Sequence, residues 1–280
     1  MSATTLRYEV SGRIARITLD RPERANAITL DMPRELAECV EEANLDPAVH
    51  VIALAGSGKG FCGGYDLVEY AETQAPNHDP GKPWDPVTDW QMMSRNLRGF
   101  MSLFHSDKPV VCKVHGFCVA GGTDMALCSD LLVIADDARI GYPPARVWGV
   151  PTSALWAFRV GDQRAKRLLF SGDLIDGRTA LEWGLAVEAH PPGELDARFD
   201  ELVERIALTP VNQLVMMKLL VNQALFSQGL HATQALGVFF DGIARHTPEG
   251  YAFQQRAAEV GFKEAVRERD QPYDAPQSRG

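Results

Sequence analysis

The chain has no apolar run approaching the roughly 20 residues that span a bilayer, and none of its five cysteines, Cys39, Cys62, Cys112, Cys118 and Cys128, belongs to a CxxC pair. The first absence excludes a helical membrane span. The second, with an odd cysteine count in mostly apolar settings, excludes a disulfide framework and a zinc knuckle and predicts reduced thiols. Basic residues are the minority: 28 Lys and Arg against 37 Asp and Glu leave a net charge of -9. No basic stripe interleaved with aromatics appears, so nucleic acid is not an expected partner. HExxH, HxxxH and GxSxG are also missing, which removes the metal-hydrolase and serine-hydrolase readings. The N-terminus lacks an apolar signal core, and Leu6 to Leu19 alternates like a strand rather than a presequence. A cytoplasmic protein with no membrane partner is the expectation.

What is present is enough for a full core: 280 residues, 45% of them hydrophobic. LRYEVSGRIARITLD (6–20) shows two alternating runs around Ser11-Gly12-Arg13, a hairpin signal. Leu36, Cys39, Val40 and Ala43 recur at helical spacing, with Thr29 or Asp31 as cap and Pro33 in the first turn. Strands are predicted at 50–56, 109–116 and 131–136, with a short helix after Gly121-Gly122. This alternation points to α/β. From Glu194 onward the apolar period is helical, and Pro210, Gly229 and Pro248 punctuate it, so residues 193–280 read as a mainly helical region beside a core of 1–192. Residues 72–90, with four prolines, read as a long loop, a lid being one of its two readings, and 272–280 as a frayed tail.

The cluster GSGKGFCGG (56–64) contains GxGxxG at Gly58, Gly60 and Gly63. A dinucleotide fold would continue into a helix and a second strand ending in an acid, and the proline-rich segment stands there instead. A P-loop fails because Lys59 precedes Gly60 rather than Ser or Thr. His115, at a strand end, reads as structural. The stronger signal is a pair of glycine turns, KGFCGGYDL (59–67) and HGFCVAGGTDMAL (115–127), each after a strand and before a helix. Helix starts leave amide N–H groups free and favour negative charge, and glycines let a ligand approach the backbone.

With these turns in place, the sequence resembles the enoyl-CoA hydratase/isomerase, or crotonase, superfamily over nearly its whole length. The resemblance rests on RPERANAI (21–28), GKGFCGGYDL (58–67), KPVVCKVHGFCVAGGTDMALCSDLLVIADDARIGYP (108–143) and RLLFSGDLIDGRTALEWGLAVE (167–188). It implies a spiral of repeated ββα units, a C-terminal helical region that builds trimers or hexamers, and an acyl-CoA substrate, with coenzyme A entering as part of that substrate and no separate cofactor. It implies an oxyanion hole from the N–H groups of Tyr65 and Gly122. It places Arg24, Ala25 and Ala27 near the adenine nucleotide and Gly63, Gly64, Asp66 and Leu67 along the ligand, with Gly121, Tyr142 and Pro144 also in the substrate site. Arg24 or Lys59 then either neutralises phosphate or remains a solvated surface charge.

The sequence departs from the hydratases of that family, which use two glutamates as acid and base. Counting on from Gly122 reaches Met125, and Pro144 follows Gly141-Tyr142-Pro143 where the second acid is expected. The nearest substitutes are Asp124, also readable as a helix first-turn acid, and Arg146, readable as a carboxylate binder or as the partner of a structural acid. Tyr142 and Trp148 read as packing residues. Hydration, isomerisation, decarboxylation, thioester hydrolysis, carbon–carbon cleavage and binding without turnover therefore remain open.

Overall fold

The computed structural model describes residues 4–73 and 83–273, with backbone alone for 71–73. Strands β1 (Leu6–Ser11) and β2 (Ile14–Leu19) form the hairpin, Ser11 pairing with Ile14 and Gly12 taking φ +60° in the turn. Helix α1 (Met32–Leu45) follows, and Thr29 Oγ1 accepts the Met32 N–H at 3.0 Å. Strand β3 (Val51–Gly56) leads into the first glycine turn. Helix α2 (Pro86–His105) begins inside the segment read as a loop: Asp85 caps it through the Val87 N–H at 2.9 Å, and Pro86 opens its first turn. A proline at that position lacks an N–H the helix could not use, so it starts the helix rather than preventing it. A wide-turn helix at Val68–Thr73 shortens the loop from its other end. The middle of the expected lid, 74–82, lies outside the described residues.

The spiral then becomes regular. Strand β4 (Val110–Val114) joins a large sheet, β5 (Phe117–Val119) a small one, and α3 (Gly121–Ala126) closes the unit. Strands β6 (Leu131–Ala135) and β7 (Arg139–Gly141) repeat the pattern. Helices α4 (Trp156–Val160) and α5 (Asp162–Ser171), strand β8 (Leu174–Asp176), helix α6 (Gly177–Glu182) and strand β9 (Glu188–His190) complete it. The large sheet runs β1-β2-β3-β4-β6-β9, parallel from β2 onward, and the small one β5-β7-β8. Single bridges of Cys62 to Cys118 and of Tyr65 to Ile28 extend the small sheet into the first glycine turn. Strands covered on both faces are apolar throughout, as in VIALAG and LLVIA.

Helices α7 (Pro192–Ala207), α8 (Val211–Ser227), α9 (Leu230–Arg245), α10 (Pro248–Val260) and α11 (Phe262–Asp270) form the C-terminal third. Helix α7 buries Leu195, Phe199, Val203 and Ala207 and packs on the large sheet, whereas α9 packs on α2. The arrangement brings α9, α10 and α11 to the side of the spiral where the glycine turns emerge. All five cysteines are buried free thiols. Among the described residues no helix is long and apolar enough to cross a membrane.

Candidate active site

Asn26 organises the first glycine turn. Fully buried at φ +52°, it donates through Nδ2 to the carbonyls of Ser57 (2.8 Å), Gly60 (3.0 Å) and Phe61 (3.0 Å), while Oδ1 accepts the Arg21 N–H at 2.9 Å. The strand-like ladder continues from Gly63 N–H to Ala25 O (2.9 Å), from Ile28 N–H to Gly64 O (2.8 Å) and from Asp66 N–H to Ile28 O (2.9 Å). Tyr65 sits in the middle of this ladder, and among the described residues no backbone acceptor meets its own N–H. The second turn is anchored by Ala120, which holds φ +53° and ψ -130° and accepts the N–H and Oγ1–H of Thr123 at 2.9 and 2.7 Å. A non-glycine residue at positive φ is strained. The strain turns the start of α3 outward, where the Gly121 N–H likewise meets no backbone acceptor among the described residues.

The two turns touch. Gly64 adopts φ +99°, and a Cβ there would stand 2.8 Å from Ala120 Cβ and 3.6 Å from the Gly121 nitrogen. Glycine is required on both counts. Together they open into a cavity of about 280 Å³ whose wall is mainly apolar and aromatic, with Tyr65, Leu67, Met93, Tyr142, Trp148 and Phe253 among its members. Trp148, at φ +84°, is wedged between Phe253 and Phe262 with ring centroids 5.4 and 5.2 Å away.

One stretch of this wall is ionic. Asp89 on α2 and Asp241 and Arg245 on α9 line the cavity. Arg245 Nη2 meets Asp89 Oδ1 at 2.6 Å, Nη1 pairs with Asp241 Oδ2, and Asp241 Oδ1 accepts the Val150 N–H at 3.1 Å. Burial pushes the Asp241 carboxyl above its ordinary value, with Arg245 and the Val150 N–H opposing the shift. None of the three stood out in the sequence. An Asp–Arg pair four residues apart on a helix looks the same there whether it faces water or a cavity.

Of the residues singled out in the sequence, Gly63, Tyr65, Leu67, Gly121, Tyr142 and Pro144 lie on the cavity wall. Gly122 does not: it lies behind Gly121 against Cys62, where a Cβ would come within 2.8 Å of both the Cys62 Cβ and its carbonyl oxygen. The glycine that faces the cavity is therefore Gly121. Asp66 is also turned away, its carboxylate taking Arg21 at 3.2 Å and Arg24 at 3.1 Å. Burial alone would raise its proton affinity, but those arginine contacts hold it below the ordinary value. Arg24 keeps half its side chain in solvent, Lys59 is exposed, and the carbonyls of Ala25 and Ala27 accept from Gly63 N–H and Arg21 Nη1.

Asp124 is fully buried beneath the wall, with Oδ1 accepting the Ser153 N–H (2.9 Å) and Oγ–H (2.7 Å), and Oδ2 without a partner. Burial lifts its pKa to about 7 despite the Ser153 bonds. Met125 is core. Arg146, a candidate for catalysis by sequence, points out of the cavity: Nε donates to Ser171 O at 3.0 Å, Nη1 to Asp270 Oδ1 at 2.9 Å, and the guanidinium stacks on Tyr273 at 4.0 Å. It is the partner of structural acids. His115 bonds the Gly58 carbonyl through Nε2 at 3.0 Å, outside the cavity wall.

The geometry meets known proteins at this point. The sequence profile of the enoyl-CoA hydratase/isomerase family matches residues 9–247. A solved structure of an enoyl-CoA hydratase from Mycobacterium smegmatis is 60% identical, superimposes with a TM-score of 0.92, and is covered over 94% of its length by 97% of this chain. Carnitinyl-CoA dehydratase of Proteus mirabilis is 30% identical over 207 residues, 72% of this chain and 74% of that protein. Hydroxycinnamoyl-CoA hydratase-lyase of Pseudomonas fluorescens is 32% identical over 197 residues, 68% of each chain.

Proposed function

The chain belongs to the enoyl-CoA hydratase/isomerase family and is an enzyme of it, and from that premise we propose that it binds an acyl-CoA thioester with the carbonyl oxygen between the N–H groups of Tyr65 and Gly121. The observation that carries this reading is the contact of the two glycine turns, which sets two unmatched amides at the mouth of one apolar cavity. Negative charge developing on a thioester oxygen is stabilised there by donors already in place, each worth roughly 3 kcal/mol. Ala120 and Gly64 supply the preorganisation: neither needs to move when the charge forms. Leu67, Tyr142 and Pro144 then face the acyl group, and Arg24 and Lys59, both solvent-exposed, offer the nucleotide phosphates of coenzyme A positive charge in an acidic protein.

The reaction is enolate or oxyanion chemistry other than simple hydration. Among the described residues no glutamate lines the cavity, and Pro144 occupies the wall where a carboxylate would activate water. A carnitinyl-CoA dehydratase and a hydroxycinnamoyl-CoA hydratase-lyase among the relatives named above are in keeping with one framework serving different reactions. Two measurements test the proposal: calorimetry with butyryl-CoA, and product analysis by mass spectrometry over enoyl, branched and aromatic thioesters. Binding with a product other than the 3-hydroxyacyl thioester is expected. Hydration of crotonyl-CoA at ordinary hydratase rates would overturn the second half of the proposal, and no acyl-CoA binding would overturn the first.

The protein acts as a homotrimer or hexamer in the same proposal. Helix α8 exposes Met216, Met217, Leu219, Leu220 and Val221, more contiguous apolar surface than a solitary subunit keeps in water.

A further inference from the structure

The proposed reaction needs a group that takes and returns a proton beside the thioester, and the cavity wall narrows the choice. Among the described residues its carboxylates are Asp89, Asp241 and Asp270. Asp270 is committed elsewhere: Arg146 and Arg269 hold it at 2.9 and 2.8 Å, which outweighs burial and keeps its pKa below the ordinary value. Asp89 gives Oδ1 to Arg245, and its Oδ2 abuts the backbone of Gly242, where a Cβ would lie 2.6 Å away. That packing aims Asp89 at the interface of α2 and α9. Asp241 differs from Asp89, whose Oδ2 has no hydrogen-bond partner among the described residues, because the Val150 N–H and Arg245 hold one oxygen each and fix the carboxylate while leaving about two of its four acceptor positions open.

We propose, on the reading of the site given above, that Asp241 is the catalytic acid and base of this enzyme and that Arg245, held from behind by Asp89, is its positioning residue. The carboxylate removes a proton from the acyl α-carbon: the C–H bond breaks, an O–H bond forms on Asp241, and the electron pair moves into the thioester, whose oxygen becomes the oxyanion held by Tyr65 and Gly121. Reversal returns a proton to carbon. The raised proton affinity of Asp241 makes it a stronger base than an ordinary carboxylate and lets it hold the proton it removes. Its neighbours fit the same purpose. Asp124 and the phenols of Tyr65 and Tyr142 add no positive charge, and the negative charge of Asp89 adds to the rise, so only Arg245 and the Val150 N–H oppose protonation of Asp241 within the cluster.

The test is solvent-deuterium exchange at the α-carbon of butyryl-CoA and phenylacetyl-CoA, followed by NMR, with calorimetry of the same ligands run alongside. Wild type is expected to exchange both. Asp241→Asn should bind with unchanged affinity and exchange at least 100-fold more slowly, whereas Asp89→Asn, which disturbs the same cluster but spares Asp241, should stay within tenfold of wild type. Should Asp241→Asn not fold, Asp241→Ala with added formate is the second variant, and rescue of exchange is expected. Exchange undiminished in Asp241→Asn, equal losses in the two asparagine variants, no formate rescue in Asp241→Ala, or a wild type that binds without exchanging would each overturn the assignment of Asp241. A wild type that binds neither ligand would instead overturn the acyl-CoA reading beneath it.

Discussion

The ring of Tyr65 lies against Gly121: a Cβ on that glycine would stand 2.6 Å from Tyr65 Cε2 and 2.8 Å from Cδ2. In the proposed site one residue therefore contributes twice, its N–H to the thioester oxygen and its ring to the cavity wall, where it also meets Tyr70 edge-on at 4.8 Å. Tyr65→Ala keeps the amide and removes the ring. It should shift preference from butyryl-CoA toward octanoyl-CoA by about tenfold in relative affinity, the worth of roughly two newly buried methylenes. Competition binding of the two thioesters measures the ratio, and an unchanged ratio would show that the ring does not bound the chamber.

Gly64→Ala should uncouple the two turns. A methyl group at φ +99° and 2.8 Å from Ala120 Cβ forces them apart. Turnover should fall at least 100-fold, the loss typical of one misplaced donor, while far-UV circular dichroism stays that of the wild type. Steady-state kinetics on the best substrate found in the product survey is the measurement.

Arg146→Ala should leave catalysis alone and weaken the fold. The side chain is buried to 9% exposure and joins the 143–146 turn to α5, Asp173 and Asp270. Its removal takes away the Ser171 carbonyl contact and leaves Asp173 to Arg167 and Asp270 to Arg269, and should lower unfolding stability by roughly 2 kcal/mol. Denaturant unfolding should show that loss, and kcat/KM at 25 °C should remain within about twofold of wild type.

Asp124→Asn should change how stability depends on pH. The folded carboxyl has a pKa of about 7 against 3.8 for an ordinary aspartate, so the folded state retains a proton that the unfolded chain releases between those values. Stability from this group is full below about pH 4 and declines as pH rises to about 7, by on the order of 4 kcal/mol. The asparagine has no proton to lose, so its stability curve should be flatter across that window. Unfolding free energies at pH 4.5 and pH 8 for both proteins give the comparison, and parallel curves would show that Asp124 ionises normally.

Much of this was legible in the residues. Gly12 marked the hairpin, the apolar run from Val51 marked a covered strand, and Gly229 and Pro248 marked helix starts, because each signal is local and rests on backbone sterics. The two glycine turns beside the cavity were legible for the same reason. Proline content around 76–86 concealed the start of α2, since Pro86 opens a helix as readily as it ends one. The distinction between Gly121 and Gly122 depends on what lies on either side, the Tyr65 ring or the Cys62 carbonyl, and that is decided by tertiary packing. Asp241 and Arg245 were hidden because α9 reaches the cavity through tertiary packing, on α2 and on the segment around Val150, between residues far apart in the chain.

The central claim is the position of the thioester oxygen. A crystal structure with bound butyryl-CoA measures it directly: the carbonyl oxygen should lie about 2.7–3.1 Å from both the Tyr65 and the Gly121 nitrogen, with the α-carbon facing Asp241. An oxygen bonded to neither amide, or a thioester lying outside the cavity, would contradict the account.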